Sequence, residues 1–95
     1  MSAYLFADVE VTDPVAYEEY RKLVPAVIAT YGGRFLARGG ASQILEGAWL
    51  PKRSVILEFP TMAALKTFWE SPEYRPLQAM RERAATSRII AIEGL

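Results

Sequence analysis

The order in which two hydrophobic periods alternate along the chain constrains its fold more than any other feature. Residues Tyr4 to Val11 alternate with period two, sending Leu5, Ala7, Val9 and Val11 to one side of a strand and Tyr4, Phe6, Asp8 and Glu10 to the other. From Pro14 to about Tyr31 the period changes: Tyr17, Tyr20, Val24, Val27, Ile28 and Tyr31 recur at helical spacing, with Glu18 and Lys22 as an outward i,i+4 pair. Asp13-Pro14 opens this helix, because proline disfavours helical angles at the preceding residue and suits the first helical position. Asp13 is therefore expected to cap it by accepting a backbone N–H near Ala16. Pro25 lacks the N–H that would reach the carbonyl of Arg21, which predicts a kink or a restarted helix. Gly32-Gly33 supplies the stop.

Period two returns in Arg34 to Arg38, followed by a bulge or bend at Gly39-Gly40, with pairing expected to resume over Ala41 to Glu46. Gly47 to Lys52 reads as a hairpin tip. Arg53 to Phe59 is the third strand, with Val55, Leu57 and Phe59 on one face and Ser54, Ile56 and Glu58 on the other. Thr61 caps a second helix whose apolar stripe is Leu65, Phe68 and Trp69. Ser71-Pro72 opens a further helical stretch to about Ala84, where Pro76 favours a short 3₁₀ entry at Pro72–Arg75. Thr86 to Glu93 is the last strand. The order is β-α-β-β-α-β with the second helix in two pieces, an α+β ferredoxin-like pattern. It predicts one domain over residues 1–95, with a four-stranded antiparallel sheet in the order 4-1-3-2 and the helices on one face.

One helix layer leaves the other face of such a sheet bare. That face would carry Tyr4, Phe6, Leu36, Ile56 and either Ile90/Ile92 or Ile89/Ala91, an apolar patch of a kind soluble monomers rarely expose. A second copy packed sheet to sheet is the simplest cover, so a homodimer is expected. Asp8, Glu10, Arg34, Arg38 and Glu58 are expected on the same face, with Arg38 paired to Asp8 or Glu58. Such charges either fix the register of the two subunits or anchor an acidic or carbonyl-bearing ligand.

Eleven basic and eleven acidic residues cancel, which argues against a general polyanion or anionic-membrane partner. RNA-recognition domains share the β-α-β-β-α-β order, but RSVILEF in the third strand lacks their basic-Gly-aromatic pattern. In YGGRFLARGG the first glycines follow a helix, whereas phosphate loops place theirs before one. With neither histidine nor cysteine, the usual general base, haem ligand and zinc-thiolate sites are missing. No metal and no cofactor is expected, and any base would be a carboxylate with a raised pKa. No apolar run approaches the roughly 20 residues needed to cross a bilayer, and no basic region precedes an apolar stretch at Met1-Ser2-Ala3. A soluble cytoplasmic protein is expected.

The stretches VEVTDPVAYEEY (9–20), VPAVIATYGGRFLARGG (24–40), LEGAW (45–49) with PKRSVILEFP (51–60), and FWESPEY (68–74) resemble the domain-of-unknown-function family 1330. The resemblance spans nearly the whole chain and implies a ferredoxin-like subunit in a dimeric α/β barrel. That superfamily includes cofactor-free monooxygenases of antibiotic biosynthesis, muconolactone isomerase-like enzymes and haem-binding chlorite dismutase-like proteins. FWESPEY is similar to a stretch that lines the cavity in the antibiotic-biosynthesis monooxygenase-like group. The resemblance thus points to Trp69 and Tyr74 as stacking and hydrogen-bonding partners of a flat substrate, where the alternative is core packing. Tyr20 either faces the same cavity or bonds a buried carbonyl. Arg88 stabilises an enolate or carboxylate, or forms a rim ion pair. Arg38, Asp8 and Glu58 are the catalytic candidates. Two functions remain: a binder of a small aromatic or carbonyl-containing metabolite, as a cofactor-independent monooxygenase or isomerase, or a non-catalytic dimeric accessory module.

Overall fold

A computed structural model describes residues 1–95. The elements are β1 (Ala3–Val11), α1 (Pro14–Thr30), β2 (Arg34–Arg38), β3 (Ser54–Phe59), α2 (Met62–Trp69), α3 (Tyr74–Ala84) and β4 (Ala85–Glu93). The four strands form one sheet ordered β2-β3-β1-β4, antiparallel throughout, as the alternation of periods predicts.

The helix caps form as the sequence implies. Asp13 accepts the Ala16 N–H at 3.1 Å and Thr61 accepts the Ala64 N–H at 3.0 Å. Gly32, at φ +81°, takes the left-handed turn that ends α1. Ser71 replaces the expected 3₁₀ entry to α3: its hydroxyl donates to the Phe68 carbonyl at 2.8 Å and accepts the Tyr74 N–H at 3.1 Å. One buried hydroxyl thereby joins the end of α2 to the start of α3. Helix α1 runs unbroken through Pro25, against the expected restart. Glu18 pairs with Arg21 at 3.3 Å rather than with Lys22.

Leu5, Ala7 and Val9 from β1, Leu57 and Phe59 from β3, and Tyr17, Tyr20, Val24 and Ile28 from α1 are buried together. Phe68 and Tyr74 close this core, with ring centroids 4.5 Å apart. Gly33 lies against it so tightly that a Cβ there would stand 2.6 Å from the Phe59 ring.

The expected bend forms at Gly39, but two other expectations fail between Arg34 and Arg53, the facing of Arg38 and the pairing of Ala41–Glu46. The bulge falls inside β2 rather than after it: Phe35 pairs with Leu57 and Ala37 with Ile56, leaving Leu36 as the extra residue. One inserted residue reverses the facing of everything beyond it. Arg38, opposite Val55, therefore points to the helices and not to the bare face. The chain then leaves the sheet at Gly39, where φ is +74°, and Ala41–Glu46 form no strand.

Candidate functional site

Between α1, α3 and the sheet lies a cavity of about 50 Å³, several times the roughly 10–15 Å³ that one water needs. Its walls are mostly aliphatic and aromatic, including Val55, Ile89, Phe35, Phe68 and Trp69. Its polar groups are of two kinds. Tyr17, Tyr20 and Tyr74 bring ring and hydroxyl groups, and Arg21, Arg38, Arg53 and Arg81 bring guanidinium groups.

Each polar group has a local cause. Tyr17 and Tyr20 lie three residues apart on the inner stripe of α1, so both turn inward. The Tyr20 hydroxyl meets that of Tyr74 at 3.1 Å, and Arg81 Nε donates to Tyr74 at 3.4 Å. Burial, reinforced by the neighbouring Tyr74, pushes the Tyr20 pKa up, so this phenol keeps its proton at neutral pH. Trp69 packs against Tyr74 at 5.4 Å and lies 5.9 Å from the Arg81 guanidinium carbon.

The bulge in β2 carries Arg38 to α1, where its Nη2 donates to the carbonyl of Arg21 at 2.6 Å. This is the carbonyl that Pro25 deprives of its helical donor. The proline in α1 and the arginine in β2 thus complete one another, and the expected pairing of Arg38 with Asp8 or Glu58 does not form. Burial lowers the Arg38 pKa, and the charges of Arg21 and Arg53 lower it further. For Arg81, burial acts downward but the contacts with Tyr74 and Tyr20 outweigh it, and the net direction is up.

The other candidates lie across the sheet. Asp8 is buried on the helix-free face, accepting from Arg88 Nη2 at 2.8 Å and from the Lys52 N–H at 2.9 Å. Glu58 accepts from Arg34 Nε at 2.8 Å and from the Tyr4 hydroxyl at 3.3 Å. Neither carboxylate lines the cavity. The structure therefore brings Tyr20, Arg38, Trp69 and Tyr74 together and leaves Asp8, Glu58 and Arg88 apart from them. No group of three or more carboxylates is placed to hold a metal ion.

Sequence reasoning missed Arg53 and Arg81. A signal for both existed: Arg53 shares the parity of Val55, Leu57 and Phe59, and Arg81 shares the helical stripe of Tyr74, Leu77 and Ala84. A basic residue on an apolar stripe marks a charge carried inward.

The ion pairs predict an acid limb of stability. The hydrogen bond from Arg88 holds the Asp8 carboxyl below its ordinary range, and that from Arg34 does the same for Glu58. A folded pKa below the unfolded value, about 4, stabilises the fold fully above that value, and the contribution is lost as pH falls through the folded pKa. Denaturant melts between about pH 6 and about pH 2 are expected to show this loss. Asp8→Asn should lower stability at neutral pH and flatten the limb. An unchanged slope in the variant would remove Asp8 from this account.

Residues 2–95 match the family described as Domain of unknown function (DUF1330). The chain belongs to this DUF1330 family. Among curated proteins none matches it. Among solved structures, the DUF1330 chain is similar to RPA0582, a protein of unknown function from Rhodopseudomonas palustris. They share 23% identity over 99% of this chain and 82% of that one, with a TM-score of 0.78. It also resembles SnoaB, a cofactor-independent oxygenase from Streptomyces nogalater, at 13% identity over 99% and 93% of the two chains and a TM-score of 0.69. A dimeric ferredoxin-like protein of unknown function from Jannaschia sp. CCS1 superimposes at 0.67, with 14% identity over 99% of this chain and 100% of the other. At these identities the likeness establishes a ferredoxin-like fold. No helix of the DUF1330 chain is long and apolar enough to cross a membrane.

Proposed function

We propose that this DUF1330 protein is a homodimer that binds a small aromatic or carbonyl-containing metabolite in the cavity of each subunit. The observation that carries the reading is the cavity itself, with aromatic walls and a few inward guanidinium and phenol groups. In the catalytic form of this reading, Trp69 stacks on the substrate while Tyr20 and Tyr74 bond its carbonyl oxygen. Arg38 stabilises the enolate through which a cofactor-independent oxidation or isomerisation would pass. The fold shared with SnoaB, a cofactor-independent oxygenase, is consistent with this.

A specific observation favours the second reading, a binding module without turnover. No carboxylate lines the cavity and Tyr20 holds its proton, so the site offers no base among Asp, Glu and His side chains. A substrate processed here would have to ionise with little help.

The dimer is supported by the bare face. Tyr4 sits opposite Glu58 and Ile92, and Phe6 opposite Ile56 and Ile90, with Ile90 60% and Ile92 56% exposed. Trp49 lies edge-on to Phe6 at 6.0 Å, extending this apolar surface with the 39–53 segment. The similar Jannaschia protein is dimeric.

Native mass spectrometry of protein purified without added ligand tests the binding reading, and oxygen uptake with any ligand so identified separates turnover from binding. Arg38→Ala sharpens the test. It should cost about 0.5–1.5 kcal/mol for one lost hydrogen bond, release the ligand and leave the dimer intact, since Arg38 faces the helices. Loss of the dimer with the ligand retained would reverse the role given to Arg38.

A further inference from the structure

Of the eight arginines, Arg75 and Arg83 lie exposed on α3, and the other six divide into two groups. Arg21, Arg34 and Arg88 are ion-paired with Glu18, Glu58 and Asp8. Arg38, Arg53 and Arg81 have no carboxylate partner, and all three line the cavity, which no Asp or Glu lines. In a chain of formal net charge zero, this is a local excess of positive charge set into an apolar space.

Burial makes that excess significant. Arg81 is only 6% exposed, and its recorded partners are neutral: the Tyr74 hydroxyl and the Trp69 ring. A buried ion without a counterion is costly, and buried cations ordinarily acquire one. Arg53 Nε is buried without any hydrogen-bond partner. The Arg53 guanidinium occupies the space left by the missing side chain of Gly39, where a Cβ would lie 2.3 Å from Nη1. Arg38 has one nitrogen committed to the Arg21 carbonyl, which orients its guanidinium at the cavity wall. Three donors thus reach the space from β2, from the residue before β3, and from α3.

We propose that the cavity takes a small organic anion, a one-ring apolar body whose carboxylate, phenolate or enolate oxygen is bound by Arg38, Arg53 and Arg81. The anion supplies the counter-charge that the fold omits, and charge-assisted hydrogen bonds from guanidinium to an oxyanion are the strong ones. The aromatic wall formed by Phe35, Phe68 and Trp69 receives the ring by giving way, since the cavity of about 50 Å³ is smaller than the roughly 150 Å³ that admits benzene. This inference rests on the cavity being a ligand site and adds the charge of the ligand.

Titration calorimetry of the full chain with benzoate, benzamide and benzylamine tests it, because the three probes match in size and differ in charge. Benzoate is expected to bind at least about tenfold more tightly than benzamide, with benzylamine weakest. Arg81→Met and Arg53→Met should each weaken benzoate about tenfold and leave benzamide unchanged, while thermal melts stay at or above those of the parent. Benzamide binding as tightly as benzoate would overturn the anion assignment and leave the cavity reading standing. Failure of all three probes at millimolar concentration would overturn both. The comparison among probes uses the unaltered protein, so it decides the matter even where a variant does not fold.

Discussion

Phe68→Ala is expected to destabilise the fold by about 3–5 kcal/mol, read from denaturant midpoints at unchanged m-value. Phe68 is 1% exposed and its ring lies 4.5 Å from Tyr74, 5.2 Å from Phe59 and 6.3 Å from Tyr31. It therefore joins α2 to β3, α3 and the end of α1, and the neighbours cannot all move in to fill its place. A chain of 95 residues has a total stability of only about 5–14 kcal/mol, so the variant gives up between roughly a fifth and all of that margin. Phe68 also walls the cavity. Where the variant remains folded, the cavity should be larger and any ring-bearing ligand bound more loosely. A cost below about 1 kcal/mol would mean that this ring cluster is not the centre of the core.

Ile90→Arg is expected to convert the proposed dimer to a monomer without loss of secondary structure. Ile90 stands beside Phe6 on the bare face and is 60% exposed in the single chain, so arginine there costs the subunit little. Against a second copy the same arginine becomes an unpaired charge in an apolar contact, repeated on both subunits by the two-fold symmetry. The monomer fraction should rise on dilution, and the association constant of the dimer should fall by at least about a hundredfold. Light scattering at micromolar concentration, with circular dichroism for the fold, reads both effects. A parent protein that is itself monomeric there would overturn this use of the face, whereas a dimeric variant would move the interface elsewhere.

Periodicity alone places Phe68, whereas the face of Ile90, left open against Ile89, is settled by the pairing of β4 with β1. Leu5, Ala7 and Val9 face the core because β1 alternates without interruption, and Phe68 faces it because α2 repeats at helical spacing. The caps at Asp13 and Thr61 and the stop at Gly32 are equally local, each satisfied within a few residues along the chain. Such features require no knowledge of distant contacts.

The candidate site is a different case. Whether Arg38 turns to the helices or away depends on a single extra residue, Leu36, and nothing in RFLAR marks the bulge inside the strand rather than at the following glycines. The partner it finds, the Arg21 carbonyl, is left open by Pro25, so two local irregularities meet only once β2 and α1 pack. Asp8 and Glu58 were candidates for a base on the strength of residue type, yet Arg88 and Arg34 reach them through sheet pairing between distant strands. Element order, caps and aliphatic faces were legible from sequence because they depend on repeat length and backbone preference. The guanidiniums of Arg38, Arg53 and Arg81 share one space because strand register and helix packing carry distant segments together, and no local period encodes that convergence.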